Sequence, residues 1–258
     1  MSDVLGNSPD SKNKGVLSHL WKLALAVSVL AIAANLVIMF GARLGFWAPL
    51  DGMGLYRTYF NPIAFVAAGL GLVVLVIHLV RKERAGSLLS GIAFLMGAVM
   101  LLPWLFATID PPVRAPPIHD ITTDTQNPPE FQVLDETRAG ASNSLDYSGQ
   151  ETADAQLSAY PDIAPVITTM TAEDAFERAL SVAETMNWEI IPPTFDSLRF
   201  EATARTPVFY FADDIVVVVT PLDDGSRVDL RSVSRVGRSD QGVNAARIRA
   251  FVSAFSQS

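Results

Sequence analysis

The chain of 258 residues contains no cysteine, which excludes disulfides, thiolate nucleophiles and zinc–thiolate sites. Histidine is nearly as scarce, with only His19, His78 and His119. Basic charge is missing from one part of the molecule. Residues 1–108 hold eight Lys or Arg against four Asp or Glu, whereas residues 109–258 hold eleven Arg, no Lys and twenty-three acids, so the formal charges are +4 and −12. A segment that acidic is poorly suited to phosphate backbones, so nucleic-acid binding is not expected. It is suited to staying in solution and away from anionic lipid.

What the sequence has in excess is apolar residues, 50% of the total, and they are concentrated near the N-terminus. Three runs, at about 23–42, 60–80 and 87–109, each approach the ~20 residues a helix needs to cross ~30 Å of hydrocarbon. They are expected to be three transmembrane helices in contact with a lipid bilayer. A signal peptide competes for the first run, because Lys12, Lys14 and Lys22 precede it, but the run is too long for an h-region, no clean small-x-small cleavage site ends it before Arg43, and two further spans follow.

Basic residues flanking the spans set the orientation. Lys12, Lys14, Lys22, Arg81, Lys82 and Arg84 lie on one side, and Arg43, Arg57 and Arg114 on the other. The expectation is a multi-pass protein of a bacterial inner membrane with a cytoplasmic N-terminus and a periplasmic C-terminal domain. Phe46, Trp47, Tyr56, Tyr59, Phe60 and Trp104 suit an aromatic belt on the outer side. Ala67 with Gly71, and Ala93 with Gly97, permit close helix packing. Asn35 reads as an interhelical hydrogen-bond donor. His78, three residues from Arg81, reads as a group that reaches the interface rather than a haem ligand.

Residues 110–135 carry paired prolines at 111–112, 116–117 and 128–129, which read as an extended, semi-rigid connector. His119, Asp120 and Asp124 are candidate metal ligands there, but an extended chain does not converge side chains at that spacing. No metal or cofactor is expected. Residues 136–160 read as a long polar loop within a domain spanning 136–258.

That domain reads as α+β. Thr171 caps a helix whose apolar residues, from Ala172 to Met186, recur at steps of three and four. After Trp188–Ile191 and a Pro192-Pro193 break, Leu198–Arg205 alternates apolar and polar residues as a half-buried strand does. The valine run Ile215–Thr220, a turn at Asp223-Asp224-Gly225, a strand Arg227–Ser234 and a last helix Val243–Phe255 follow. The order predicts an antiparallel sheet with two helices on one face.

The stretch FADDIVVVVTP, followed by VDLRSVSRVGRSDQGVNAARI, resembles the domain-of-unknown-function family 1499 of bacterial envelope proteins and chloroplasts. The resemblance runs from about 118 to 255, and SRVGRSDQGVN is its most specific part. IHDITTDTQNPPEF resembles the opening of a subgroup in which it replaces an Asn-Cys-Val-Ser-Ser stretch. The resemblance implies the fold and an envelope location and brings no activity.

One cluster invites a chemical reading: Arg231, Ser234, Arg235, Arg238, Ser239, Asp240 and Asn244, with Asp213 and Asp214 on a neighbouring strand. Guanidinium groups at a helix N-terminus suit a phosphate, a carboxylate or a lipid headgroup. The aspartates suit the opposite outcome, a fixed ion-pair network with Asp240 or Ser239 as a helix cap. A hydrolase needs a base beside its nucleophile, and His119 is the only histidine after residue 108. Asp213 and Asp214, adjacent in a strand, point to opposite faces. No catalytic residue is assigned. The expected role is a non-catalytic scaffold for another membrane or envelope protein, with anion binding at 231–244 and an unrecognised hydrolase as alternatives.

Overall fold

The computed structural model describes residues 15–194 and 198–257. Lys12 and Lys14, used above for orientation, lie outside the described residues. The chain divides between Pro112 and Val113 into two compact units.

The first unit is helical: α1 (Leu20–Phe40), α2 (Pro49–Val80), α3 (Arg84–Met100) and α4 (Leu102–Ile109). Two helical stretches, Gly15–Phe40 and Pro49–Val80, are long and apolar enough to cross a membrane, and α3 with α4 makes a third if a pair bent by 47° counts as one span. The bend corrects the expectation of one continuous helix over 87–109. Pro103 falls in the first turn of α4, where its missing N–H costs nothing, so the helix restarts there instead of continuing. The expected start of the second span at about residue 60 is also corrected: with Pro49 in its first turn, α2 begins well before it.

Small and polar residues turn inward in this bundle. Ala24, Ser28, Ala31, Asn35 and Ile38 of α1 are buried at alternating steps of four and three, as are Gly86, Ser90, Ala93 and Gly97 of α3. Large side chains such as Leu30, Val37, Val66, Val73, Leu95 and Val99 face outward. Without large residues between them, the backbones come close. A Cβ on Gly97 would lie 2.3 Å from the Ala68 nitrogen, and one on Gly71 would lie 2.5 Å from the Phe94 nitrogen. Ser28 Oγ donates to the Ala93 carbonyl at 2.9 Å. Asn35 Nδ2 donates to the Phe60 carbonyl at 3.4 Å and points to Met100 Sδ at 3.5 Å, which is the interhelical role expected of it. His78 is fully buried, and its Nδ1 lies 2.7 Å from Glu83 Oε2.

The second unit contains β1 (Asp120–Thr122), α5 (Gln150–Ala159), β2 (Val166–Thr168), α6 (Ala172–Thr185), β3 (Glu189–Thr194), β4 (Arg199–Arg205), β5 (Ala212–Leu222), β6 (Gly225–Ser234) and α7 (Val243–Ser256). The sheet is antiparallel in the order β1-β6-β5-β4-β3, and β2 pairs with β6 beyond the end of β1. Its core face carries Phe200, Ala202, Ile215, Val217, Val228 and Leu230, covered by Phe176 and Ala179 of α6 and by Ile248, Phe251 and Phe255 of α7. Trp188 stacks on Phe251 with ring centroids 5.5 Å apart. Thr171 accepts from the Asp174 amide at 3.1 Å, as the cap reading required. The two-residue turn between paired Leu222 and Gly225 closes the β5–β6 hairpin.

Three readings need correction. The proline-rich connector is not a spacer throughout, because residues 120–122 pair with Arg231–Val233 of β6. The loop assigned to 136–160 ends in helix α5, whose Gln156 bonds the Thr122 amide and carbonyl at 3.0 and 2.6 Å. The Pro192-Pro193 break falls inside β3 instead of ending it: the pairing with β4 shifts register between Ile191 and Thr194, an irregularity that takes both prolines, which lack an N–H, out of the ladder.

The close approach of α2 and α3 predicts that Gly97→Ala destabilises the bundle by about 1–3 kcal/mol through overpacking against backbone. Gly69→Ala, which has nothing within 4 Å, is the control. Thermal melting in detergent should show a lowered transition for the first variant alone, and equal transitions would contradict the packing.

Candidate functional site

Alternation places Glu201 and Thr203 of β4, Asp214 and Val216 of β5, and Arg231 and Val233 of β6 on the sheet face opposite the helices. This is the face expected to meet solvent. It is buried instead: Arg231 is 1% exposed, Asp214 0% and Glu201 2%. The segment from about 124 to 147 covers it, and charged pairs hold the cover in place.

Arg231 donates from Nε and Nη2 to Asp120 at 3.0 and 2.7 Å, and further to the carbonyls of Pro129 at 3.2 Å and Leu145 at 2.7 Å. Four of its five N–H groups are thereby engaged. Its guanidinium also lies 5.5 Å from the Phe131 ring centre and 5.3 Å from that of Tyr147. Burial pushes the Asp120 carboxyl up from the usual range, and the bonds from Arg231 oppose that shift.

Asp214 receives two arginines. Arg235, on the same sheet face, reaches Oδ1 at 2.8 Å, and Arg138 of the covering segment reaches Oδ2 at 2.7 Å. Thr203 adds a hydroxyl at 2.9 Å. Glu201 accepts from three successive backbone amides, Gln132, Val133 and Leu134. Arg199 Nη2 lies 3.5 Å from its Oε1, so this buried carboxylate is both hydrogen-bonded and paired.

The residues singled out in the sequence therefore separate into two groups divided by the sheet. Arg231, Arg235 and Asp214 belong to the covered face. Ser234, Asn244 and Asp213 lie on the helix side, where Asn244 Nδ2 bonds Ser234 Oγ and the His119 carbonyl, each at 3.0 Å, and Asp213 pairs with Arg247. Asp240 accepts from the Gly242 and Asn244 amides at 2.9 and 2.7 Å and thus caps α7, and burial pushes its carboxyl up. Ser239 donates to the Pro116 carbonyl at 2.9 Å. Arg238 is exposed and has no hydrogen bond or ion pair among the described residues. The considered metal ligands Asp120 and Asp124 are divided between Arg231 and Arg227.

Beside Arg231 a cleft of about 690 Å³ opens within the covering segment. Phe131, Tyr147, Glu130 and Asp146 are among its lining residues. The Tyr147 hydroxyl is buried and has no hydrogen-bond partner among the described residues. Burial first, and the Asp120 charge second, push its phenol up to about 12, so it keeps its proton at any ordinary pH. The sequence reading missed Arg138, Phe131, Tyr147 and Asp120 as partners. Their segment has no periodicity that would assign them to one face.

An antiparallel sheet with helices on one face and an arginine–carboxylate layer on the other defines this unit as a small α+β module. The family model described as Protein of unknown function (DUF1499) matches residues 120–255, more than half of the chain, and the chain belongs to that family. No curated protein matches it. The matched region begins at β1, consistent with the strand that the structure adds to the sheet.

Arg231→Ala should cost about 3–5 kcal/mol, because it leaves Asp120 buried without a countercharge. Arg231→Met combined with Asp120→Leu should recover most of that loss, while the exposed Arg238→Ala changes stability by less than about 0.5 kcal/mol. Denaturant titration of the three variants checks the order. Equal stability of Arg231→Ala and wild type would contradict the buried pair.

Proposed function

We propose that the chain is a multi-pass protein of a bacterial inner membrane, with α1, α2 and the bent α3–α4 pair as three spans. Its N-terminus is cytoplasmic and its sheet domain periplasmic, and it acts there as a non-catalytic scaffold that binds another envelope protein. The outward-facing large apolar side chains and inward small ones support burial in lipid. The distribution of basic residues supports the orientation.

The observation that carries the non-catalytic part is how the arginines and carboxylates are used. Asp213, Asp214, Asp240, Ser234 and Ser239 each hold a strand, a helix end or a loop through a specific bond. Groups committed to such bonds serve the fold, and among the described residues neither serine hydroxyl is hydrogen-bonded to an imidazole that could act as its base. The same bookkeeping weighs against an anion site at 231–244, since Arg231 and Arg235 already hold carboxylates.

A C-terminal alkaline phosphatase fusion should be active, and a C-terminal fusion to a cytoplasm-dependent fluorescent protein dark. The reverse pattern would overturn the orientation. Crosslinking in native membranes should capture a defined partner through the sheet domain. Repeated failure under several conditions removes the scaffold reading.

A further inference from the structure

Residues 206–211, between β4 and β5, form a hairpin loop whose sequence does not suit its backbone. The Thr206 amide donates to the Phe211 carbonyl at 2.8 Å and the Phe211 amide to Thr206 Oγ1 at 2.9 Å, which closes the loop. At its tip Phe209 and Tyr210 both take a positive φ, 61° and 60°. Two successive left-handed residues are the pattern in which Asn and Gly are at ease and aromatic residues are strained. Strain held in place by surrounding bonds points to a use for the side chains themselves. Val208, Phe209, Tyr210 and Phe211 are each part-exposed, and none of them joins the hydrophobic core of the domain.

The sheet register fixes where this tip lies. Asp120 of β1 pairs with Val233, Val233 with Asp214, and Asp214 with Thr203. The loop therefore projects from the end of the sheet at which the chain enters the domain through residues 113–119. The loop after β6 is at that end too, since the Asp240 amide donates to the Ile118 carbonyl at 3.2 Å and Ser239 Oγ to that of Pro116 at 2.9 Å. The Asp223-Asp224 turn lies at the opposite end.

The exposed arginines follow the same axis. From residue 113 onward the described ones are Arg114, Arg205, Arg238 and Arg249. The first three are at the entry end, and Arg249 is paired with Asp162 at 2.6 Å. The Arg205 guanidinium lies over the Tyr210 ring, 4.8 Å from its centre, so a cation sits directly behind the aromatic tip. Glu136, Glu184 and Glu189 are exposed acids toward that end. Two of them are already opposed by arginines, Glu136 by Arg138 at 3.3 Å and Glu189 by Arg205 at 3.5 Å, the latter an exposed contact of little strength. Glu173, Asp174, Asp223 and Asp224 are exposed at the far end.

Aromatic side chains at a tip with guanidinium groups behind them have the chemistry of a headgroup interface: rings enter the boundary of the hydrocarbon, and cations meet lipid phosphates. We infer that the entry end of the sheet domain docks on a bilayer carrying anionic phospholipid, with residues 208–211 in the interface and Arg205 and Arg238 against phosphate groups. The docking rests on the membrane spans proposed above, from which the connector leads to this end of the domain.

Because the chain has no cysteine, a single one can carry a label. The full chain with Val208→Cys, or with Asp224→Cys as the far-end control, is labelled with a fluorophore and placed in nanodiscs of phosphatidylcholine with or without phosphatidylglycerol. A lipid bearing a nitroxide close to its headgroup is the quencher. The Val208 label should be quenched in the anionic discs and the Asp224 label should not. Arg205→Gln combined with Arg238→Gln, both exposed positions, should lower the docked-to-free ratio roughly fivefold per arginine, with an unchanged melting temperature showing that the variant is folded. A Val208 label quenched no more than the Asp224 label, equal quenching in discs of phosphatidylcholine alone, or undiminished quenching in the double-arginine variant would each overturn the docking. A chain that does not enter nanodiscs removes the spans and the docking together. One that enters with its Val208 label unquenched removes the docking alone and leaves the spans.

Discussion

Arg231 and Asp120 join the first strand of the sheet domain to its longest hairpin, and much of the rest depends on that contact. The pair is buried on the face away from the helices. Two charges withdrawn from water are costly unless each is matched and the remaining donors are bonded. Here the guanidinium is matched by a two-point carboxylate contact and by the carbonyls of Pro129 and Leu145, which belong to opposite ends of the covering segment. One side chain thus fixes β1 and both ends of the cover. Asp214 repeats the arrangement farther along the sheet, taking one arginine, Arg235, from the residue that follows β6 and one, Arg138, from the cover.

This layer explains why a sheet with helices on only one side has few exposed charges on the other. Glu201 anchors three amides of the cover, and Asn143 bonds the Ser234 and Gly237 carbonyls at 2.8 and 2.9 Å. Such contacts are directional, so they specify where the irregular chain lies more sharply than apolar packing would.

Much of this architecture was legible in the sequence because it rests on periodicity. The alternation of Leu198–Arg205, the valine run of β5, the Asp223-Asp224 turn and the three- and four-step spacing of α6 each correspond to an element found in place. The small-residue pairs Ala67/Gly71 and Ala93/Gly97 likewise meet in the helical unit. The covered face was not legible. Arg199, Glu201 and Thr203 have the composition of a solvated strand face, and only the partners brought by residues 120–147 bury them. Those partners come from a segment of prolines, glycines and short polar residues, where neither helical nor strand period operates. The residues of the Arg-rich motif do not share one face, because strand alternation sends Arg231 and Ser234 to opposite sides of one sheet.

The central claim is that residues 124–147 are a fixed cover held to the sheet by buried charge pairs. Amide hydrogen exchange at Gln132, Val133 and Leu134 tests it most directly, since these amides bond Glu201 and lie in no helix or strand. The account predicts protection approaching that of the neighbouring strand amides of β4 and β6, and its loss in Glu201→Ala. Exchange at the rate of an exposed loop in the unaltered protein would contradict it.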